Sequence, residues 1–202
     1  MAQEYTSIND YGLIGNLATC VLIGRDGSID WCCFPHMESP SVFAAILDVE
    51  KGGHFYIKPR DSSLAHQRYV DKTNVLETRF ETPSGVVTIT DFMPLRGTAD
   101  PRHQAILRKA ACVRGSVELE IEFNPRFDYA RVVPAVEPSP QGVVAAWQDH
   151  VLFLQSPCNL EIGDGEARGT LTINEGEAQW FALRYGDRDP LGPEECQSLL
   201  DA

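Results

Sequence analysis

The sequence predicts an all-β protein, a large antiparallel β-sandwich (supersandwich-like) with a short helical linker at its C-terminus. Three observations predict it. Apolar and charged residues alternate with period two in several segments, the pattern of half-buried strands. Turn formers punctuate the chain so regularly that about a dozen short strands fit between them. Helical spacing is scarce until the last ten residues.

The elements follow in order. Thr19–Ile23 and Ser28–Phe34 flank Arg25-Asp26-Gly27, a tight hairpin turn. Ser41–Leu47, after Ser39-Pro40, is expected to form one or two helical turns. Gly53–Lys58 and His66–Val70 are candidate strands. In Asn74–Thr82, Leu76, Thr78 and Phe80 face one way and Glu77, Arg79 and Glu81 the other. Pro83-Ser84-Gly85 turns that strand into Val86–Thr90, rich in β-branched residues. Gln104–Val113 is the next strand. In Ser116–Phe123, Val117, Leu119, Ile121 and Phe123 alternate with Ser116, Glu118, Glu120 and Glu122, which are expected to face solvent. Gly142–Ala146, Val151–Gln155, Thr170–Ile173 and Gln179–Tyr185 complete the set, separated by Gly- and Pro-rich turns. Asp189-Pro190-Leu191-Gly192-Pro193 then breaks the pattern, and Glu194–Leu200 begins a helix. Pro193 suits its first turn, and the acidic pair suits its positive end. Cys196, Leu199 and Leu200 share a face that, within this sequence, is expected to lack a packing partner. Residues 1–187 are therefore expected to be the sandwich, and 188–202 the start of a linker in a piece of a longer protein.

Composition mainly removes candidates. The 202 residues include 17 Lys+Arg and 29 Asp+Glu, a formal net charge of −12. That balance argues against nucleic acid and against anionic membrane surfaces, which both need basic patches. No apolar stretch approaches the ~18 residues of a membrane-spanning helix. Met1–Thr6 lacks the basic and apolar regions of a signal peptide. The six cysteines form no CxxC pair, and Cys20, Cys32, Cys33 and Cys112 lie in apolar segments. Reduced, mostly buried thiols in a cytoplasmic protein are expected.

Chemical signatures are sparse. There is no Walker loop, GxGxxG, HExxH or GxSxG. His36, His54, His66, His103 and His150 have no ligand spacing, so neither a metal nor a cofactor is implied. The densest segment, Tyr11–Phe43, mixes glycines, aromatics and carboxylates, as carbohydrate sites do. Within it Trp31 alternates with Asp30 and is expected to be a core anchor, with Asp30 on the opposite face. The polar loop Pro35–Ser41 is the better functional candidate, although Ser39 or Ser41 also suits a helix cap. A second aromatic–charge cluster is Arg126-Phe127-Asp128-Tyr129-Ala130-Arg131, where the charges suit a surface ion pair or a bridge to another domain. Glycoside hydrolysis needs two carboxylates across the bond. Spacing pairs none of Asp26, Asp30, Glu38, Asp91 or Asp128, so no catalytic residue is assigned.

Three groups of residues carry a resemblance: Ile8–Asn16; Gly24–Pro35 running on to Glu38–Ala45; and Thr90-Asp91-Phe92-Met93-Pro94 with Pro125–Tyr129. Together the chain resembles the N-terminal domain of bacterial glycoside hydrolase family 15 proteins, the glucoamylase and trehalase-like group. It has His36-Met37-Glu38 where the family pattern reads Arg-Phe-Asp, and Asn16 where Asp is usual. The resemblance implies a β-sandwich followed by a linker and an (α/α)6 barrel that holds the catalytic glutamates. The family hydrolyses terminal α-glucosidic bonds with inversion. The chain is thus expected to be inactive alone, with the barrel of the same parent as its partner and α-glucosides as possible ligands. On this resemblance His36, Glu38, Ser39, Arg126, Asp128 and Tyr129 are the substrate-rim or interface candidates. The competing expectation is a stand-alone carbohydrate-binding module.

Overall fold

The computed structural model describes residues 5–95 and 104–202, and His103 lies outside them. Among the described residues fifteen strands form one sheet that folds over on itself. One layer contains β1 (Tyr11–Gly15), β2 (Cys20–Gly24), β3 (Ser28–Cys33), β4 (Ser41–Phe43) and β5 (His54–Pro59). The other contains β6 (Leu64–Tyr69), β7 (Leu76–Glu81) and β8 (Gly85–Phe92). Both layers share β9 (Ala105–Asn124). The second layer continues through β10 (Ala135–Ser139), β11 (Gly142–Trp147), β12 (His150–Gln155) and β15 (Ala178–Tyr185). β13 (Glu161–Ile162) and β14 (Ala167–Asn174) belong to the first. All pairings are antiparallel.

The long β9 is the spine. Its first half pairs with β8 and β15, its second half with β5 and β14. The sequence placed two strands here; the structure joins them through a corner at Gly115. That residue has φ +76°, and a Cβ on it would stand 2.3 Å from the Ser84 carbonyl oxygen. Only glycine allows both the left-handed backbone and the approach.

Alternation does its expected work beside the corner. Leu76, Thr78 and Phe80 of β7 are buried, as are Val117, Leu119, Ile121 and Phe123 of β9. The apolar ones join one core between the layers, and Thr78 Oγ1 accepts from Gln67 Nε2 at 3.1 Å. A charged bracket crosses that core. Arg108 of β9 and Asp91 of β8 have fully buried side chains, 2.7 Å apart at Nε and Oδ1. The guanidinium also donates to the carbonyls of Phe55 (3.0 Å) and Gly27 (2.7 Å), in the opposite layer.

Several expectations change. Ser41–Leu47 is not helical: Ser41–Phe43 pair with Cys32 and Cys33, and turns follow. The pleated neighbour offers Val42 and Phe43 a buried site that an isolated turn of helix lacks. β1, β10 and β13 go beyond the sequence-predicted set. The C-terminal helix forms over Pro193–Leu200, but it does have a partner. Cys196, Leu199 and Leu200 pack on a second apolar cluster made by Val75, Phe92, Ala105, Leu107, Ala182 and Leu191. All six cysteines are free, four of them buried. No helix among the described residues is long and apolar enough to cross a membrane.

Candidate functional site

Strand register decides which loops meet. Ser28 pairs with Tyr56, and Tyr56 with Glu122. The Cys33 end of β3 and the Asn124 end of β9 therefore point the same way. The loop after β3 and the segment after β9 emerge at one end of the sandwich. β4 ties them together, because the Arg126 amide donates to the Val42 carbonyl at 2.9 Å.

On the first loop His36, Met37 and Glu38 are exposed. Ser39 Oγ accepts a hydrogen bond from the His36 amide at 3.2 Å, so it closes this turn and caps no helix. The Met37 amide donates to the Ala18 carbonyl at 3.0 Å, which lays the loop against the β1–β2 turn. An aromatic ladder supports this end. Phe34 stacks on Tyr185 with centroids 5.6 Å apart. The Tyr185 hydroxyl lies 2.8 Å from His150 Nδ1, and His150 stacks on Trp147 at 5.7 Å. Phe127 completes the ladder, 6.4 Å from Trp147.

Phe127 also anchors the second segment: it is buried and exchanges two backbone hydrogen bonds with Val132. Between them Asp128, Tyr129 and Ala130 take φ of 52°, 56° and 65°. Left-handed backbone costs a non-glycine residue roughly 1–2 kcal/mol, so the surroundings must hold this turn in place. Arg126 helps by turning inward, donating from Nη1 to the carbonyls of Pro125 and Gly165, each at 2.9 Å. Asp128 meets Arg131 at 3.5 Å, the surface ion pair that the charges suit. Tyr129 remains exposed, with the Arg131 guanidinium 6.0 Å from its ring centre. Thus His36, Glu38 and Tyr129 face solvent, while Ser39, Arg126 and Asp128 are engaged in shaping the turns.

The carboxylates best placed by burial are elsewhere. Asp30 does not simply face outward: it is 8% exposed and accepts from Ser28 Oγ at 2.5 Å and Tyr11 Oη at 2.6 Å. Trp31 is only half-buried, which corrects its expected role as a core anchor. Burial pushes the Asp30 carboxyl up, against the pull of its two donors. Glu122 also departs from the solvated face expected of it. It lies 3.2 Å from His54 Nε2, 2.9 Å from Tyr56 Oη and 3.3 Å from Arg168 Nη2. The hydrogen bond from His54, aided by Tyr56, holds this carboxyl down at about 2, although burial opposes it. Both carboxylates have their oxygens engaged by neighbouring side chains, and Glu122 also lines an open cavity of about 680 Å³ with Tyr56, Glu120, Glu161 and Arg168. Among the described residues no group of three or more His, Cys, Asp and Glu is arranged to hold a metal.

Sequence reasoning missed a different feature at this end. An apolar groove of about 690 Å³ lies where the β1–β2 turn, Met37, the β6–β7 connection, Leu95 and the end of the helix converge. Leu13, Leu17, Met37 and Leu95 are 49%, 97%, 59% and 60% exposed. Leu199 and Leu200 continue the surface. Leu17 has φ +70°, an unusual backbone for a branched apolar residue at a turn tip.

Residues 1–197 match the family described as trehalase-like, N-terminal. The chain is 30% identical over 187 residues to a trehalase of Thermoplasma volcanium, covering 91% of this chain and 30% of that protein. It is 33% identical over 209 residues to a trehalase of Mycolicibacterium smegmatis, covering 92% and 31%. Similarity to trehalase 2 of Sulfolobus acidocaldarius is 34% over 184 residues, covering 88% and 29%. The chain thus spans about a third of the length of the curated relatives it matches.

Proposed function

Because the chain belongs to the trehalase-like N-terminal domain family, we propose that it is the non-catalytic sandwich domain of a glycoside hydrolase of the trehalase or glucoamylase type. In this reading the parent hydrolyses terminal α-glucosidic bonds with inversion, using groups outside this chain. Residues 1–187 form the supporting domain, and residues 188–202 begin the connection to the catalytic (α/α)6 part.

The observation that carries the reading is the apolar groove. Leu13, Leu17, Met37 and Leu95 stand exposed around one groove whose lining includes a single charged side chain, Lys72. Contiguous exposed apolar surface marks an interaction site. The helix that begins the proposed connection lines the same groove with Leu199 and Leu200, so a following domain would leave from its rim. The relatives contain the further chain such an occupant requires. His36 and Glu38 flank Met37 on the exposed loop and would then border the interface, near the substrate entrance. The aromatic ladder and the left-handed turn fix that loop's surroundings.

The test is association in trans. The catalytic portion of the Thermoplasma volcanium trehalase, expressed without the region matched here, is mixed with the 202-residue chain. Binding by calorimetry and increased trehalose hydrolysis are expected. Leu17→Asp with Met37→Asp should abolish both while leaving the melting temperature of the chain unchanged. Absence of binding by the unaltered chain to this portion and to that of the Mycolicibacterium smegmatis trehalase would overturn the reading.

A further inference from the structure

A second groove, of about 710 Å³, runs between the β10–β11 turn, the loop after β12, the start of β15 and the segment leading into the C-terminal helix. It lies by Pro193, at the opposite end of that helix from the apolar groove, so both are open at once. Its volume falls within the ~300–1,000 Å³ of small-molecule sites.

Its lining is uncharged and polar. The chain is 23% charged, yet no Asp, Glu, Lys, Arg or His lines this groove. The polar groups are amides and hydroxyls. Gln141, Asn159 and Gln179 make no side-chain hydrogen bond to other described residues and are free to engage a ligand. Each amide presents both an acceptor and donors, the complement of a vicinal diol whose hydroxyls donate and accept together. Trp180 supplies apolar surface. Its half-buried indole is held edge-to-face against Phe92, with centroids 6.2 Å apart.

The walls are rigid. Pro138 and Pro140 stiffen one side, Pro157 another, and Pro190 and Pro193 the third. Gln155 clamps that third wall. Its Nε2 donates to the Leu191 carbonyl at 2.9 Å, and its Oε1 accepts from the Leu191 amide at 2.8 Å. Leu191 is buried below. A groove already set in shape loses little ordering entropy when it binds.

We infer that this groove binds a neutral oligosaccharide. The lining itself offers neither cation nor carboxylate, and the Lys109 ammonium, 5.3 Å from the Trp180 ring centre, is already engaged by Gln197 Oε1 at 2.7 Å, whereas hydroxyls meet free amides and sugar C–H groups meet the remaining indole surface. The site is independent of the apolar groove and of the supporting role proposed above. Neither Trp31 nor Tyr129 is among the residues that line it.

The experiment is a titration of the 15N-labelled chain with trehalose, maltose and maltotriose, following amide and indole N–H resonances. Shifts should cluster on Gln141, Asn159, Gln179 and the Trp180 indole. A roughly millimolar dissociation constant is expected, since few hydrogen bonds are gained net of water. Gln141→Ala with Gln179→Ala should weaken binding about tenfold without changing the melting temperature. The inference is overturned if no resonance moves up to roughly fifty times that concentration, if the shifts cluster elsewhere, or if the double variant binds as well as the unaltered chain.

Discussion

Asp91→Asn is the sharpest probe of what holds the two layers together. Asp91 and Arg108 have no exposed side-chain surface. The guanidinium makes bonds of 2.7 and 3.4 Å to the carboxylate, and two more to the Phe55 and Gly27 carbonyls. Asparagine keeps the shape and removes the counter-charge. Breaking a buried ion pair by losing one partner costs about 3–5 kcal/mol, because the other charge stays desolvated. Set against a total stability of roughly 5–15 kcal/mol, that is a large fraction. Arg108→Met should cost at least as much, since it also strands two buried carbonyls at about 1–3 kcal/mol each.

The double variant separates the charge effect from the lost carbonyl bonds. With both charges gone, the stranded carbonyls dominate, and the cost should fall well below the sum of the two singles. A coupling energy of about 3 kcal/mol is expected. Urea unfolding, followed by circular dichroism and tryptophan fluorescence, measures it, provided the slope m is unchanged. If Asp91→Asn loses under about 1 kcal/mol and the coupling is near zero, the bracket does not hold the layers and the reasoning fails.

The remaining predictions use other parts of the fold. Glu122 is held down at about 2, first by its hydrogen bond from His54. A lowered folded pKa stabilises above the unfolded value of 4.5, and that contribution fades as pH falls toward 2. Up to about 3 kcal/mol should be lost over that window. The urea midpoint of Glu122→Gln should fall less steeply with acid, and parallel slopes would refute this. Ala130→Gly relieves a left-handed residue, φ 65°, against the greater freedom of unfolded glycine. A net gain of about 0.5 kcal/mol and a higher melting temperature by calorimetry are expected; a loss would show that the turn is not strained. Cys20 and Cys158 are half-buried, the other four cysteines buried. A thiol reagent should titrate two thiols in the native state and six after unfolding. Burial pushes Cys33 and Cys196 up to about 11, so rapid native labelling of either would contradict the packing.

How far the sequence reaches differs between face and neighbour. Val117, Leu119, Ile121 and Phe123 were legible because alternation reports which side of a strand is apolar. Glu122 was not, because alternation is silent about what covers the polar side. Only the register brings His54 and Tyr56 of β5 and Arg168 of β14 to it. Arg108 shows the same limit. In sequence nothing singles it out beside Lys109, and nothing ties it to Asp91. Their pairing exists only once β8 lies against β9. β1 escaped notice because two of its residues are glycines, poor strand formers by composition. Gly12 is there because β1 closes on β7: a Cβ would stand 2.5 Å from a Leu76 methyl carbon.

The candidate site divides along the same line. Loop 35–41 could be found because it is polar, proline-bounded and follows a strand that reads as buried. The left-handed turn could not, since Asp128, Tyr129 and Ala130 are ordinary residues whose backbone is imposed by Phe127, Val132 and Arg126 around them. The apolar groove is assembled from turns far apart in the chain, so no local pattern announces it. One residue did carry a signal. Leu17 lies between Asn16 and Ala18 in the turn from β1 to β2, where turn chemistry favours Gly, Asn or Asp. Leu17 combines a left-handed backbone, φ 70°, with a side chain 97% exposed at the rim of the groove. In the function proposed above, the partner at this end would cover the exposed Leu17 side chain.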